Sequence, residues 1–584
     1  MERPHRSPAN IPAHAAAPMP RWALPVLVLA FLLPGLFARD LWPQDATGFG
    51  RMWSMAHGGF IDWLLPDIAG APALDGGPLP YWFGALLVRI AGPLLGDTGA
   101  AFLANLAWYP IAVLAIWQAI YRLARRDEAQ PVAAAFGGEA SRDSYARLIA
   151  DIGALLTIGT LGTIWRIHQV QPDGAALALT AGALFAATAV EWQRDAAAVA
   201  GGLCAGALAL TLGPVPGGAL LIASAVAHWR AASTAGGTPL EGARAVLLLV
   251  VAGLALAAAW PLAALAFFPR EAGLYFSAWL AHVPLGLPDG DALAWLLRTG
   301  AWFTWPLWPL AAWGVYAWRG SLHSSHLARP LVLLAGLAVA LVLTVPTDER
   351  SFIPVVAPLV VLAAFGATTL RRALDNAIDW LAMTLFSAVL VFLWSYYLAL
   401  QLGGPRPMAM SIARLAPGFV AHLHGAAVLL ALVATAAWVQ LMAWRVARRP
   451  RVLWRGPLLA AAGVTVVWGG ANLLFLPAVD YVLSYRTLAQ EVAHELQARG
   501  LGGGCVQAHR VPLAERALLA YYGQIRFDRE GSAETCRLAL HREMRRSPID
   551  NDPPPGVRGM WEPAWEGHRR VKPDERWRIW IRAQ

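Results

Sequence analysis

Apolar runs of about 17–25 residues recur along this chain, each long enough to cross the roughly 30 Å hydrocarbon layer of a bilayer as a helix. Backbone polar groups find no water there, so a spanning segment must close its hydrogen bonds within a helix or a closed barrel. Runs of this length restrict the chain to a polytopic helical bundle. About thirteen can be counted, near 22–38, 100–122, 147–165, 174–190, 196–212, 216–228, 244–268, 300–318, 330–346, 352–370, 378–400, 424–444 and 457–476. Composition agrees: 57% of the 584 residues are hydrophobic and 14% are charged, against about 25% charged in a soluble domain.

The net charge of +9 does not point to nucleic acid. The arginines cluster in short loops between apolar runs, as the positive-inside rule requires of cytoplasmic loops. With the N-terminus inside, the even-numbered exits carry Arg122, Arg125 and Arg126, then Arg194, Arg230 with Arg244, Arg319 with Arg329, Arg371 with Arg372, and finally Arg445, Arg448, Arg449, Arg451 and Arg455. Lys572 is the only lysine, which reads as a base-composition bias. The expected layout is a cytoplasmic tail over 1–21, a transmembrane part over 22–478 that includes a first outer loop over 39–99, and a small α/β domain over 479–584 on the outer face. The first span has no clear small-residue cleavage site and reads as uncleaved. The localisation expected is a bacterial inner membrane, crossed many times, with a periplasmic C-terminal domain.

In the C-terminal region, Leu488, Val492 and Leu496 recur at helical spacing over 485–499. A strand is expected near 505–508, a second helix over 513–522, a linker at Pro553-Pro554-Pro555, and an edge strand over 577–581, where residues alternate. Cys505 and Cys536 could close a disulfide if this region lies outside the cytoplasm, whereas Cys204 sits in an apolar run and reads as packing. No cysteine spacing suggests a metal site.

Chemistry is best sought in the first outer loop. Asp45 follows the first span closely, and a carboxylate at the mouth of a membrane helix is costly without a partner or a task. Phe49, Met52, Trp53, Met55 and Ala56 recur at helical spacing, suggesting a short helix in the interface plane with its aromatic face among headgroups. Asp45 could equally be a cap for that helix. Asp173 opens the fourth run on the same side, where it could also serve as a helix cap. Asp67 and Asp75 lie in the first loop and could stand in for Asp45; His57 and Asp62 read as solvated. His168 and Gln171 could hydrogen-bond a sugar or acceptor, with a plain interface role the simpler reading of the histidine. Most of the 28 tryptophans fit interface belts; Trp302, Trp305 and Trp308 could line a lipid groove. No phosphate loop, nucleophile elbow, dinucleotide fingerprint or His-Glu-x-x-His motif is present.

The ordered set of features resembles a family. Asp45 after the first span, the stretch Trp63-Leu64-Leu65-Pro66-Asp67-Ile68-Ala69-Gly70-Ala71-Pro72, the close Pro78-Leu79-Pro80-Tyr81-Trp82, Asp173 after Gln171-Pro172, and Arg350-Ser351-Phe352-Ile353-Pro354 through Pro358 together look like the GT-C membrane glycosyltransferases of the protein mannosyltransferase and ArnT (lipid A aminoarabinose transferase) type. Thirteen spans followed by an outer soluble domain is that family's plan. Two departures stand out: Ala46 occupies the place where the family often has Glu, and Gly76-Gly77 precedes Pro78-Leu79 where it often has Lys.

The resemblance implies an inverting transfer of a hexosyl or pentosyl group from a polyprenyl-phosphate-linked donor to a glycolipid, polysaccharide or protein acceptor at the outer leaflet. Asp45 would act as general base, with Asp173 orienting the acceptor or sharing that role. Arg350 would hold the donor phosphate through its forked donors, with Arg270, Arg166 and Arg89 as weaker candidates. Tyr81, Trp82, His168, Gln171, Asp67 and Asp75 would contact substrate. No cofactor is certain; converging carboxylates leave room for a divalent metal, but no spacing demands one. Two rival readings are a transporter or flippase for a lipid-linked saccharide and a non-catalytic relative of the transferases.

Overall fold

The computed structural model describes residues 7–36, 39–132, 138–234, 238–283, 285–448, 452–529, 536–544, 561–569 and 571–582. The expected Pro553-Pro554-Pro555 linker lies outside them. The chain starts with a short helix α1 (Ala23–Leu32) and then α2 (Pro43–His57), whose proline sits in the first turn, where no N–H is needed. A five-residue helix α3 (Phe60–Leu64) leads into a two-residue antiparallel hairpin, β1 (Asp67–Ile68) with β2 (Ala71–Pro72). Helix α4 (Leu79–Ala124) spans 46 residues, or roughly 69 Å if it were straight, which is too long for one bilayer crossing. It is broken at Gly96, whose φ of 74° suits only glycine well.

The expected outer loop over 39–99 is therefore no loop. It holds two helices, a hairpin and the first limb of α4. The Phe49, Met52 and Met55 face of α2 is buried inside the protein rather than turned to headgroups. Gly50 lies against Ile68 on one side and Ala517 on the other.

Helices α5 (Arg142–Ile158) and α6 (Leu161–Ile167) form one apolar segment bent by 65°. There follow α7 (Asp173–Thr188), α8 (Arg194–Leu212), α9 (Pro214–Thr234), α10 (Pro239–Phe267), α11 (Pro269–Ala281), α12 (Gly290–Phe303), α13 (Leu307–Ala317), α14 (Ser325–Leu343), α15 (Ile353–Ala367), α16 (Arg372–Leu402), the surface helix α17 (Arg406–Leu415), α18 (Gly425–Arg448) and α19 (Arg455–Leu483). Among the described residues, eight helices are long and apolar enough to cross a membrane, nine if the bent pair counts as one span; α1 and α7 are shorter apolar helices. Each of the thirteen expected runs contains helix, but that count of spans is not reproduced. The run at 300–318 splits between α12 and α13, and the first run holds only the ten residues of α1.

The C-terminal region is a small sheet unit. After α20 (Arg486–Ala498) come β3 (Val506–His509), α21 (Leu513–Gly523), β4 (Leu538–Met544), β5 (Trp561–Arg569) and β6 (Lys572–Arg582). The sheet order is β3-β4-β6-β5, with β3 parallel to β4 and the other pairs antiparallel. The alternating strand over 577–581 is therefore central, not an edge. Cys505 and Cys536 are disulfide-bonded. Cys204 is free, close beside Gly182.

This unit is tied to the first helices of the chain. The Tyr522 hydroxyl accepts from Leu41 N (2.7 Å), and Arg516 donates to Ala69 O (2.7 Å). Asp480, near the end of α19, accepts from Asp40 N and from Trp42 Nε1, both at 2.9 Å. The segment from 39 to 82 is thus clamped between the helical bundle and the sheet unit.

Candidate functional site

Asp45, Asp173 and Arg350 fall at one end of the bundle, but they do not form one open cluster. Asp45 is fully buried in the first turn of α2. Its carboxylate accepts from Arg39 Nη1 (2.6 Å) and Nη2 (3.3 Å), from Val170 N (2.9 Å) and, closing the helix cap, from Trp42 N (3.4 Å). Both oxygens are engaged, and neither is open to a substrate hydroxyl in this arrangement. Arg39 in turn lies between the rings of Trp42 (4.2 Å) and Phe102 (4.3 Å). The expected proton acceptor is here a buried latch between the first helices and the 168–172 segment.

The same segment explains His168 and Gln171. The His168 Nδ1 contacts Ile164 O (2.7 Å), while Nε2 lies 2.9 Å from Phe31 O and 3.0 Å from Trp468 Nε1. Both nitrogens are used inside the protein. Gln171 Nε2 donates to Gln44 O (2.6 Å) and Thr47 Oγ1 (3.0 Å). The histidine is fully engaged inside the protein, and the Gln171 amide nitrogen is taken up by α2. Gly48 makes this approach possible, because a Cβ there would stand 1.8 Å from Val170 O.

Asp173 differs from Asp45. It starts α7 directly after Pro172 and is buried, yet neither carboxylate oxygen has a hydrogen-bond partner among the described residues. Its strongest charged influences are Arg350 and then Arg166. Arg350 in turn is acted on by both Asp173 and Asp348. The Arg350 Nε is 3.0 Å from Asp348 Oδ2 but not aligned for a hydrogen bond. Arg166 is committed elsewhere, to Asp348 (2.5 Å) and Glu349 (2.7 Å), so it has little left for a phosphate.

Arg350 also lines a cavity of about 400 Å³. Its floor is apolar, built from residues such as Leu212, Val215, Leu337 and Leu341, and its polar wall carries Asp75, His282 and Asp348. Asp75 projects into it with its side chain 71% exposed. Gly76 forms the adjoining wall at φ 74°, where a Cβ would come 2.5 Å from Thr211 O. A lysine in place of this glycine would force that wall apart.

Arg51 belongs to this neighbourhood, although the sequence reading assigned it no role. Its guanidinium lies 4.8 Å from the Tyr81 ring and donates to Asp75 O (2.5 Å), while its buried Nε has no partner among the described residues. A single arginine on the Phe49–Met52–Met55 face of α2 was the available signal. Arg39, directly after the first span, carried no signal of its role as the partner of Asp45.

The other candidates lie apart. Arg270 is exposed in the first turn of α11 and does not line the cavity. Tyr81 is buried beneath Arg51. Trp82 donates to Trp63 O (2.7 Å), and with Arg89 it lines a different, aromatic hollow. Asp67 and Asp62 both pair with Arg529, at 3.5 and 2.6 Å, and Asp62 is buried rather than solvated. Burial raises the Asp67 carboxyl above its ordinary range, with Asp62 adding to the rise and Ser54 and Arg529 opposing it. Trp302, Trp305 and Trp308 are all well exposed, and none lines the cavity. Among the described residues, no group of three or more His, Cys, Asp or Glu side chains gathers to hold a metal ion.

No protein-family model and no curated protein matches the chain. Solved structures do. The crystal structure of ArnT from Cupriavidus metallidurans bound to undecaprenyl phosphate matches over 86% of this chain and 84% of that one, with 15% identity and a TM-score of 0.59. The apo state of the same protein matches over 86% and 83%, with a TM-score of 0.54. The resemblance first read from a few short stretches extends to the whole architecture: this chain has the ArnT fold.

Proposed function

We propose that the protein is an integral-membrane glycosyltransferase that takes its sugar from a polyprenyl-phosphate-linked donor. The observation that carries this reading is Arg350, a guanidinium in the wall of an apolar-floored cavity whose charge also acts on Asp173, a buried carboxylate with no hydrogen-bond partner among the described residues. The cavity suits the phosphate and first isoprenoid units of such a lipid. The ArnT of matching fold was crystallised with undecaprenyl phosphate.

In this reading the acceptor hydroxyl attacks the anomeric carbon from the face opposite the phosphate. The new C–O bond forms as the bond to phosphate breaks, and its electron pair leaves with the lipid phosphate, inverting the centre. Arg350 offsets the charge that develops on the leaving group. Asp173 takes the hydroxyl proton, replacing Asp45 in that role because Asp45 has no free oxygen. Asp75 lines the cavity, and Arg51 holds the Asp75 backbone from behind. In this reading the site end faces the outer leaflet, which fits the cytoplasmic placing of the arginine-rich loops by the positive-inside rule.

The test is sugar release from a panel of polyprenyl-phosphate donors in membranes. The native chain transfers sugar. Asp173→Asn lowers turnover by about 10²–10⁴-fold while donor binding persists, and Arg350→Gln raises the donor KM. Native protein that moves lipid-linked sugar across the membrane without transferring it would sink the proposal in favour of a flippase.

A further inference from the structure

A second polar cavity, of about 890 Å³, opens at the far end of the bundle, lined by Arg122, Arg125, Arg126, Arg142, Tyr121 and Trp192 among others. It is remote from Arg350. Asp173 begins α7, and the residues that follow the end of α7 line this cavity, roughly 24 Å away along the helix.

Three of its four arginines are neutralised in place. Arg125 pairs with Asp143 (3.1 Å), Arg126 with Glu191 (2.6 Å), and Arg142 with Asp127. Glu191 is further held by the buried Arg329, which also donates to Ala187 O (2.8 Å). Arg122 is the exception. Among the described residues no carboxylate approaches it; its guanidinium is held by ring faces, 4.5 Å from Phe185 and 5.5 Å from Trp192. Stacking fixes the plane of the fork and leaves its edge donors for a ligand. Counting Asp143 and Arg329, which pair with lining residues, the five guanidinium groups of Arg122, Arg125, Arg126, Arg142 and Arg329 meet the four carboxylates of Asp127, Glu128, Asp143 and Glu191.

We propose that this cavity binds a phosphate-bearing anion on Arg122, namely the phosphodiester of an anionic phospholipid headgroup. A planar fork with spare donors matches phosphate oxygens. Trp192, 64% exposed beside it, is the kind of side chain that sits at headgroup level. The site lies at the basic end of the bundle, opposite the proposed transfer site, and is independent of that reading.

The experiment uses the full chain, delipidated in a neutral detergent. Dioleoyl phosphatidylglycerol, dioleoyl phosphatidylcholine or inorganic phosphate is added, and bound lipid is read by native mass spectrometry alongside the melting temperature. Phosphatidylglycerol is expected to bind the native chain and raise its melting temperature, and to bind Arg122→Gln at least tenfold more weakly. Trp192→Ala keeps every charge but removes one stacking face, and should weaken binding several-fold. Arg319→Gln alters an exposed arginine stacked on Tyr316 outside this cavity and should bind as the native chain does. Inorganic phosphate giving the full effect at equal concentration would assign the site to a free anion and overturn the lipid half. Equal binding by phosphatidylcholine, undiminished binding in Arg122→Gln, or an equal loss in Arg319→Gln would overturn the site. Lipid-free melting of Arg122→Gln separates a purely structural role, which would lower it without changing lipid selectivity.

Discussion

Replacing Asp45 by Asn tests whether this residue is a latch or a reagent. The Arg39–Asp45 pair is 2.6 Å long, with side chains 3% and 1% exposed. Asparagine keeps the shape and leaves an acceptor for Val170 N–H, so the change isolates the charge. Removing one partner of a buried ion pair strands the other, at a cost of about 3–5 kcal/mol. Arg39→Met should lose a comparable amount, because the buried carboxylate is then stranded and the cation–π contacts with Trp42 and Phe102 are lost. The double variant Arg39→Met/Asp45→Asn strands neither charge, so its loss should fall short of the sum by about 2 kcal/mol, within the range found for residues in direct contact. The assay is equilibrium unfolding of the four proteins in mixed micelles, followed by tryptophan fluorescence, with sugar transfer measured on the same samples. Asp45→Asn that is as stable as the native chain but inactive would refute the latch and return Asp45 to the chemistry.

Gly48→Ala should prevent accumulation of folded protein or lower stability by about 3 kcal/mol or more, because the added carbon would meet Val170 O at 1.8 Å; Gly50→Ala, whose nearest neighbour is the Ala517 Cβ at 3.0 Å, should be milder, as expression level and melting temperature can show. Reducing the Cys505–Cys536 bridge, which spans 31 residues, should lower the stability of the sheet unit by about 3–4 kcal/mol on the chain-entropy model, read as faster proteolysis there under dithiothreitol. Because burial raises the Asp67 carboxyl above its ordinary 3.8, the folded chain holds that proton more tightly than the unfolded one. Stability is then lost as pH rises from 3.8 through the folded value. Asp67→Asn should melt higher than the native chain at pH 7.5, and the difference should vanish below pH 3.8; a variant that melts lower at pH 7.5 would contradict the assignment.

The helical membrane character, the two helices of the sheet unit and its strands near 505–508 and 577–581 followed from residue order, whereas β4, β5 and the central place of β6 did not. Apolar length and 3.6-residue spacing are local properties, and the cost of burying a backbone without internal hydrogen bonds leaves one solution. The order of Asp45, Pro78-Leu79-Pro80-Tyr81-Trp82, Asp173 and Arg350 was enough to point to the ArnT fold. What each charge does was not legible there. Asp45 and Asp173 look alike in sequence, each an acid at a helix start beside a membrane run. Only the tertiary structure places Arg39 and the Val170 amide on the first and leaves the second without a hydrogen-bond partner among the described residues. Those partners stand up to 125 residues apart in sequence. A carboxylate is set as anchor or reagent by the donors and charges that surround it, and chain folding alone determines which ones arrive.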